Sequence, residues 1–371
     1  MKRITVHLGK RSYDILIGRG LLRSLGRFVK PLGLGSKVLI VSNRRVARFF
    51  LPAVSRSLAG SGFRVYSYLL PHGDERDKSE RELAKLWAQM AQIGLDRTST
   101  VLALGGGVVG DVASFAASTY MRGIALVQVP TTLLAQVDSA IGGKTAIDLP
   151  RGKNLVGTFY QPRVVISDVE ALKTLSLYEF QNQFAEVVKY GVIQDATLFK
   201  LLERKAEWFF SSVRRKYFGK QELAFLEHVV WRSASVKAKV VQQDELERTG
   251  KRMILNYGHT FAHALEGASG FRLPHGRAVS SGMILAGELA CRLKLFSKAA
   301  QERQIRLIKQ VGLPAKQRYS SARILSFMKR DKKNQNGKLR LILPRAIGRV
   351  EVNERISEKS IRTLLNEFRS S

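Results

Sequence analysis

Through about Asp168 the chain alternates short β-rich runs with helical stretches, a rhythm that few architectures accommodate. The runs are Lys37 to Val41, Arg64 to Tyr68, Thr100 to Leu104, Ile124 to Val129 and Val164 to Ser167. Between the second and third, Glu80 to Ile93 repeats Leu83, Leu86, Trp87 and Met90 at helical spacing. Strands linked through helices run in the same direction, so the pattern predicts a parallel α/β sheet. The amino terminus, Met1 to Leu8, alternates apolar and polar residues like one more strand.

After Thr174 the pattern changes. Long amphipathic segments follow at Leu198 to Phe210, Gln221 to Val241, Ala278 to Leu295 and Ala299 to Val311, with few glycine or proline interruptions. A β-like coda, Leu339 to Pro344 and Gly348 to Val352, precedes a last helix near Ser360 to Phe368. A chain of 371 residues is about twice a typical domain. The expected organisation is an α/β domain with a Rossmann-like parallel sheet over 1–168 and a mainly α-helical domain over 169–371, with a cleft between two such domains as the default site.

Composition narrows the chemistry. The only cysteine is Cys291, which rules out a disulfide framework or a cysteine-rich zinc module and fits a reducing compartment. Any metal must then be held by His, Asp or Glu. The most apolar stretch, Gly123 to Val137, contains Gln128, Pro130, Thr131 and Thr132, too short and too polar to span a bilayer. With no secretion signal evident, the expectation is a cytoplasmic protein with no membrane partner. A net charge of +32 raises nucleic acid as a partner, but the basic residues are spread along the chain with no RNP-like or zinc-finger pattern, so none is expected.

Three features carry chemistry. Gly105-Gly106-Gly107-Val108-Val109-Gly110 follows a strand and opens a helix, so its backbone amides and the helix dipole would face a phosphate. No carboxylate appears in Gly123 to Val137, where a Rossmann fold usually places its ribose-binding acid. Lysines flanked by glycine, in Gly142-Gly143-Lys144-Thr145 and Gly152-Lys153-Asn154, suit an anion approached by backbone and ammonium together. Three of the six histidines crowd one segment: His259 and His263, at i and i+4 on one helix face, and His275. Spacing favours His259 with His263 and leaves the third ligand open, while Glu186 lies in the apolar Phe184 to Gly191, where a buried acid needs a cation or metal.

In order and spacing, Gly105 to Asp111, Gln128 to Ser139, Gly142 to Ala146, Gly152 to Asn154, Ala185 to Gly191 and Asn256 to Thr260 resemble 3-dehydroquinate synthase, over nearly the whole chain. The resemblance implies an NAD- and divalent-metal-dependent lyase of the shikimate pathway. Such an enzyme converts 3-deoxy-D-arabino-heptulosonate 7-phosphate, an anionic sugar phosphate, to 3-dehydroquinate and phosphate. It implies a metal, usually zinc with Co2+ or another divalent ion admissible, on Glu186, His259 and His275, which moves His263 to the substrate's phosphate region. It places NAD on Asn43, Glu75, Lys78, Gly107, Val108, Val109, Gly110, Asp111, Thr131, Thr132, Lys144, Lys153, Leu172, Lys173, Thr174 and Leu175. Asp138, Lys144, Lys189, Lys237, Asn256 and His263 take catalytic roles, and Asn154, Arg252 and Lys332 or Lys333 bind substrate. Arg122 reaches in from the partner of a homodimer. The segment Gly73 to Lys78 and the segment Asp244 to Arg252 are each one residue longer than the family's usual loop. Another sugar phosphate cyclase or an NAD- and metal-dependent polyol dehydrogenase is the alternative, and a basic nucleic-acid-binding protein the non-enzymatic one.

Overall fold

The computed structural model describes residues 1–314, 319–329, 340–354 and 356–370. It divides into two compact units, one of residues 1–174 with 223–246 and one of residues 175–222 with 247–371.

The first unit is built on a seven-stranded sheet. Its strands are β1 (Lys2–Val6), β2 (Tyr13–Gly18), β3 (Lys37–Asn43), β4 (Arg64–Leu70), β5 (Thr100–Gly105), β6 (Ala125–Pro130) and, after the separate hairpin of β7 (Ile147–Leu149) and β8 (Gly152–Val156), β9 (Val164–Asp168). The order is β1-β2-β9-β6-β5-β3-β4, parallel throughout except for the antiparallel β1–β2 pair at one edge. Every strand expected from the sequence in this region is present. Strand β3 shows why the runs are continuous rather than alternating: Leu39 and Val41 pack into the core on one face, Val38 and Ile40 into the core on the other. Helices α1 (Gly26–Val29), α2 (Arg44–Ala59), α3 (Glu80–Gln92) and α4 (Gly107–Thr119) connect the strands.

In the second unit, α5 (Leu177–Ile193) starts on a capping box in which the Ser176 hydroxyl accepts from Glu179 N–H and Glu179 reaches back to Ser176 N–H. From Phe184 onward every residue of α5 is buried, so that part of the helix is internal with no solvent face. Phe180 and Phe184 lock it to Phe209 and Phe210 of α6 (Ala196–Arg214), the Phe184 and Phe210 rings meeting edge to face at 5.0 Å. Then come α7 (Lys220–Gln243), α8 (His259–Ala268), α9 (His275–Arg292), α10 (Lys298–Val311), α11 (Ser321–Lys329), the antiparallel β10 (Leu341–Ala346) and β11 (Arg349–Asn353), and α12 (Glu358–Ser370).

Two findings differ from a single division at 168/169. The turn Val169–Thr174 stays with the sheet, and so does nearly all of α7, although it follows two helices of the other unit. No helix among the described residues is long and apolar enough to cross a membrane.

Candidate active site

In the first unit, β5 turns into α4 through glycines that the packing demands. A Cβ on Gly105 would stand 2.6 Å from the Val109 side chain, one on Gly106 3.0 Å from Thr132, and one on Gly110 3.3 Å from Gln128. The Thr131 N–H donates to the Gly105 carbonyl at 2.9 Å, tying the end of β6 to the same turn. Gly106 is the N-cap of α4 and offers no side chain, so the first-turn amides are open to an anion approaching closely, as a dinucleotide's pyrophosphate requires. Asn43 has a local job as well: its side chain caps α2 by accepting from Val46 N–H at 3.0 Å.

Beside this turn lies a polar knot centred on the buried Lys78. The ammonium of Lys78 donates to Asp111 at 2.8 Å and contacts the Asn154 side-chain oxygen, with Glu75 at 3.4 Å and Asp148 at 4.0 Å. Asp148 accepts from Asn154 N–H at 2.7 Å, and its own N–H donates to the Lys78 carbonyl at 2.7 Å. Lys153 stands 3.8 Å from Glu75. Burial opposes the charge on Lys78, but Asp111, Glu75 and Asp148 outweigh it and raise its pKa. Burial pushes the Asp111 carboxyl up to about 6 against the pull of Lys78. The resemblance assigns Asn154 to substrate and Lys78 to cofactor, yet the fold brings the two into contact.

Asp138 sits on a π-helical turn, Ala135–Ser139, a rare geometry that is frequent at functional sites. Its carboxylate pairs with Lys237 of α7. This contact places both residues in one unit although 99 positions separate them.

In the second unit, Glu186, His259 and His275 each present a ligand atom, and these atoms all lie within 4.8 Å of one another. His259 Nε2 is 3.4 Å and His275 Nε2 3.5 Å from Glu186 Oε1, while Oε2 of the same carboxylate contacts the Lys189 ammonium. The second nitrogen of each ring explains the first. His259 Nδ1 is 3.1 Å from the Tyr257 carbonyl and His275 Nδ1 3.1 Å from Glu266 Oε1. A carbonyl or carboxylate can only accept, so each ring carries a proton on Nδ1 and directs Nε2 inward, where a metal could replace any proton on that nitrogen.

Two close helix contacts set the spacing. A Cβ on Gly276 would stand 1.6 Å from the Asn182 carbonyl oxygen, one turn before Glu186, and a Cβ on Gly282 would stand 2.1 Å from the Gly258 carbonyl oxygen, just before His259. Asn182 Oδ1 also accepts from Arg277 N–H at 3.0 Å, capping α9 from α5.

These residues fit a divalent ion. Both Glu186 oxygens are buried without a hydrogen bond of normal geometry. Burial resists ionising Glu186, but Lys189 and the two imidazoles hold its carboxyl well below the usual range. Burial disfavours the His275 imidazolium, yet the neighbouring carboxylates of Glu186 and Glu266 raise it to about 10, so positive charge is already drawn to the spot a metal would take. Two imidazole nitrogens and one carboxylate oxygen leave coordination positions open.

His263 stands apart. Its exposed ring lies edge to face with His259 at 5.7 Å between centroids, outside the three-residue set. Arg252 and Asn256 belong to the turn Lys251–Asn256, with Arg252 only 1% exposed. Lys144 is exposed and bridges Phe159 across an isolated strand pair. Arg122 is exposed on a turn where it and Met121 both take positive φ, 66° and 49°. Leu172 is buried and Lys173 exposed in the turn that Thr174 closes by donating to the Ala171 carbonyl at 2.9 Å, just before Leu175. Lys332 and Lys333 lie outside the described residues.

A 3-dehydroquinate synthase N-terminal model matches residues 68–182, and a 3-dehydroquinate synthase C-terminal model matches 183–334. The 3-dehydroquinate synthase of Pelobacter propionicus is 47% identical over 350 residues, 94% of each chain. The chain belongs to the 3-dehydroquinate synthase family. The 3-dehydroquinate synthase resemblance seen in the motifs therefore holds along the chain. The 2-epi-5-epi-valiolone synthase of Streptomyces hygroscopicus subsp. jinggangensis 5008, solved with NAD+ and Zn2+ bound, is 27% identical with a TM-score of 0.86, covering 98% of each chain. A 2-deoxy-scyllo-inosose synthase complexed with carbaglucose-6-phosphate, NAD+ and Co2+ is 26% identical with a TM-score of 0.86, covering 99% of this chain and 100% of the other. Three participants escaped the sequence reading: Glu266, Asn182 and Asp148. Only Glu266 left a signal, falling two helical turns after His259 on the same face of α8.

Proposed function

We propose that this protein converts 3-deoxy-D-arabino-heptulosonate 7-phosphate to 3-dehydroquinate and phosphate, with NAD as a catalytic hydride carrier and a divalent ion, zinc in the first instance, on Glu186, His259 and His275. The convergence of two imidazole Nε2 atoms on one buried carboxylate oxygen carries this reading. Family membership turns it from metal binding in general to this reaction.

A metal held on Glu186, His259 and His275 would supply Lewis acidity toward a substrate hydroxyl, and bound NAD would supply a hydride acceptor that is regenerated, for a redox-neutral net reaction. The protein's part is to bind and orient. In the first unit the amides of Gly107 to Gly110 take the pyrophosphate, and the Lys78, Asp111 and Glu75 knot takes the neighbouring part of the dinucleotide. The substrate adds a carboxylate and a phosphate, and a chain with net charge +32 offers cations for both. Arg252 is the buried guanidinium of the set and suits a bidentate anion. Lys189 holds Glu186 Oε2, leaving Oε1 to face the metal position. Asp138 holds the Lys237 ammonium in place. His263, exposed on α8, lies outside the metal set and is assigned to the phosphate.

We further place the protein in the cytoplasm, in the shikimate pathway, as a homodimer in which Arg122 serves the partner's site. Its exposed, positive-φ turn supports that last role, since backbone strain of this kind clusters at functional sites. The test is phosphate release from the heptulosonate phosphate with and without added NAD and zinc. Turnover needing both supports the reading. Stoichiometric NADH would point to a polyol dehydrogenase, and a different carbocycle to another cyclase.

A further inference from the structure

The two histidines are held in unlike ways. His259, with a side chain 11% exposed, is walled in by packing and donates through Nδ1 to a neutral acceptor, the Tyr257 carbonyl. His275, at 37% exposed, has much less packing to fix its ring, and its Nδ1 partner is the Glu266 carboxylate. A ring that packing holds less tightly depends more on its hydrogen bond for its orientation.

The charge count points to the same residue. A divalent ion beside the Lys189 ammonium would bring three positive charges to a spot where Glu186, 1% exposed, supplies one negative charge. Glu266, at 18% exposed and one imidazole away, is the second carboxylate. It lies on α8, which also carries His259, so one helix presents one ligand and orients the other.

We propose that Glu266 is a positioning residue of the metal centre, fixing the His275 ring so that Nε2 faces Glu186 Oε1 and adding the negative charge that a divalent ion beside Lys189 requires. This rests on reading the trio as a metal site. A competing role is purely structural: His275 opens α9, and an acid near a helix start also stabilises the helix. That role predicts lower thermal stability with unchanged metal affinity.

The experiment uses the full chain stripped of metal, with zinc affinity measured by chelator competition and the visible spectrum recorded with bound Co2+. Glu266→Gln keeps size and shape and removes the charge. We expect its zinc dissociation constant to rise by about tenfold to a hundredfold, the usual cost of losing such a partner, and its Co2+ bands to move. Glu266→Asp keeps the charge and should bind zinc more tightly than Glu266→Gln; it carries the measurement should Glu266→Gln fail to fold. Unchanged zinc affinity and an unchanged Co2+ spectrum in Glu266→Gln would overturn the proposal, whatever happens to the melting temperature. Failure of the unmutated protein to bind zinc at all would instead sink the reading of the trio itself, and this inference with it.

Discussion

The carbonyl oxygen of Asn182 stands 1.6 Å from where a Cβ on Gly276 would be, so α5 and α9 touch backbone to backbone at this point. Glu186 lies one turn further along α5, and His275 is the residue before Gly276. The geometry of a two-helix ligand set is thereby fixed by a glycine that carries no chemistry. The second contact, Gly282 on the Gly258 carbonyl, does the same for His259.

Replacing Gly276 with alanine should therefore act at a distance. A backbone oxygen cannot rotate away, so the helices must move apart. We expect Gly276→Ala to lose on the order of 1–3 kcal/mol of stability, as overpacked cores do, and to bind zinc at least about tenfold more weakly. Urea unfolding of the metal-free protein and zinc content after dialysis check the two effects. Wild-type zinc affinity in a destabilised variant would show that the contact does not set the ligand spacing.

The second prediction concerns the Lys78 knot and has a sign in pH. Asp111 has a pKa near 6 in the folded protein against an ordinary 3.8, so the folded state holds its proton more tightly than the unfolded chain does. Its contribution to stability is present below about pH 4 and is lost as pH rises through about 6. Lys78→Met removes the cation that limits this loss. Breaking one partner of a buried pair costs about 3 kcal/mol, and the penalty should be larger at pH 8 than at pH 5, where Asp111 can remain protonated. Denaturant titrations at the two values test it. An equal penalty at both would show that Asp111 is not the group left uncompensated.

How much of this could be read beforehand depended on whether the cause was local. Strand β3 was legible because both its faces are buried, which makes Val38 to Val41 an unbroken apolar run. The long helices were legible for the analogous reason of period. The home of α7 was not: periodicity says that a helix has a buried face but not what covers it, and the Asp138 partner of Lys237 is 99 residues away. The short β7–β8 hairpin also went unseen, since β8 is largely exposed and has no apolar alternation to betray it. In the site, spacing alone favoured His263 as the companion of His259. The fold instead brings His275 to Glu186 from a different helix, a relation that no count along one helix contains.

Catalytic use of NAD gives the third prediction. If the hydride is returned in each turnover, phosphate release should continue with no net rise in absorbance at the NADH wavelength, and dialysis to remove NAD should stop turnover until it is restored. NADH accumulating in step with phosphate would contradict the redox-neutral cycle. Phosphate release undiminished after complete removal of the dinucleotide would contradict any hydride step.

The last prediction sets His263 against His275. His275 places Nε2 3.5 Å from Glu186 Oε1, whereas His263 lies outside the three-residue set with its ring against His259. His275→Ala should accordingly lose metal affinity by at least about tenfold, since even partners one shell out cost roughly 10–100-fold. His263→Ala should retain its metal and lose substrate affinity or rate instead. A charge-assisted hydrogen bond to phosphate is worth on the order of 1.5–3 kcal/mol, so that loss is about ten- to a hundredfold or slightly more. The measurement is zinc content and dissociation constant for both variants after identical dialysis, with circular dichroism to verify folding. Metal loss in His263→Ala with retention in His275→Ala would mean that the i, i+4 pair on α8 is the true ligand pair. Glu266 would then be holding a ring with no ion to serve.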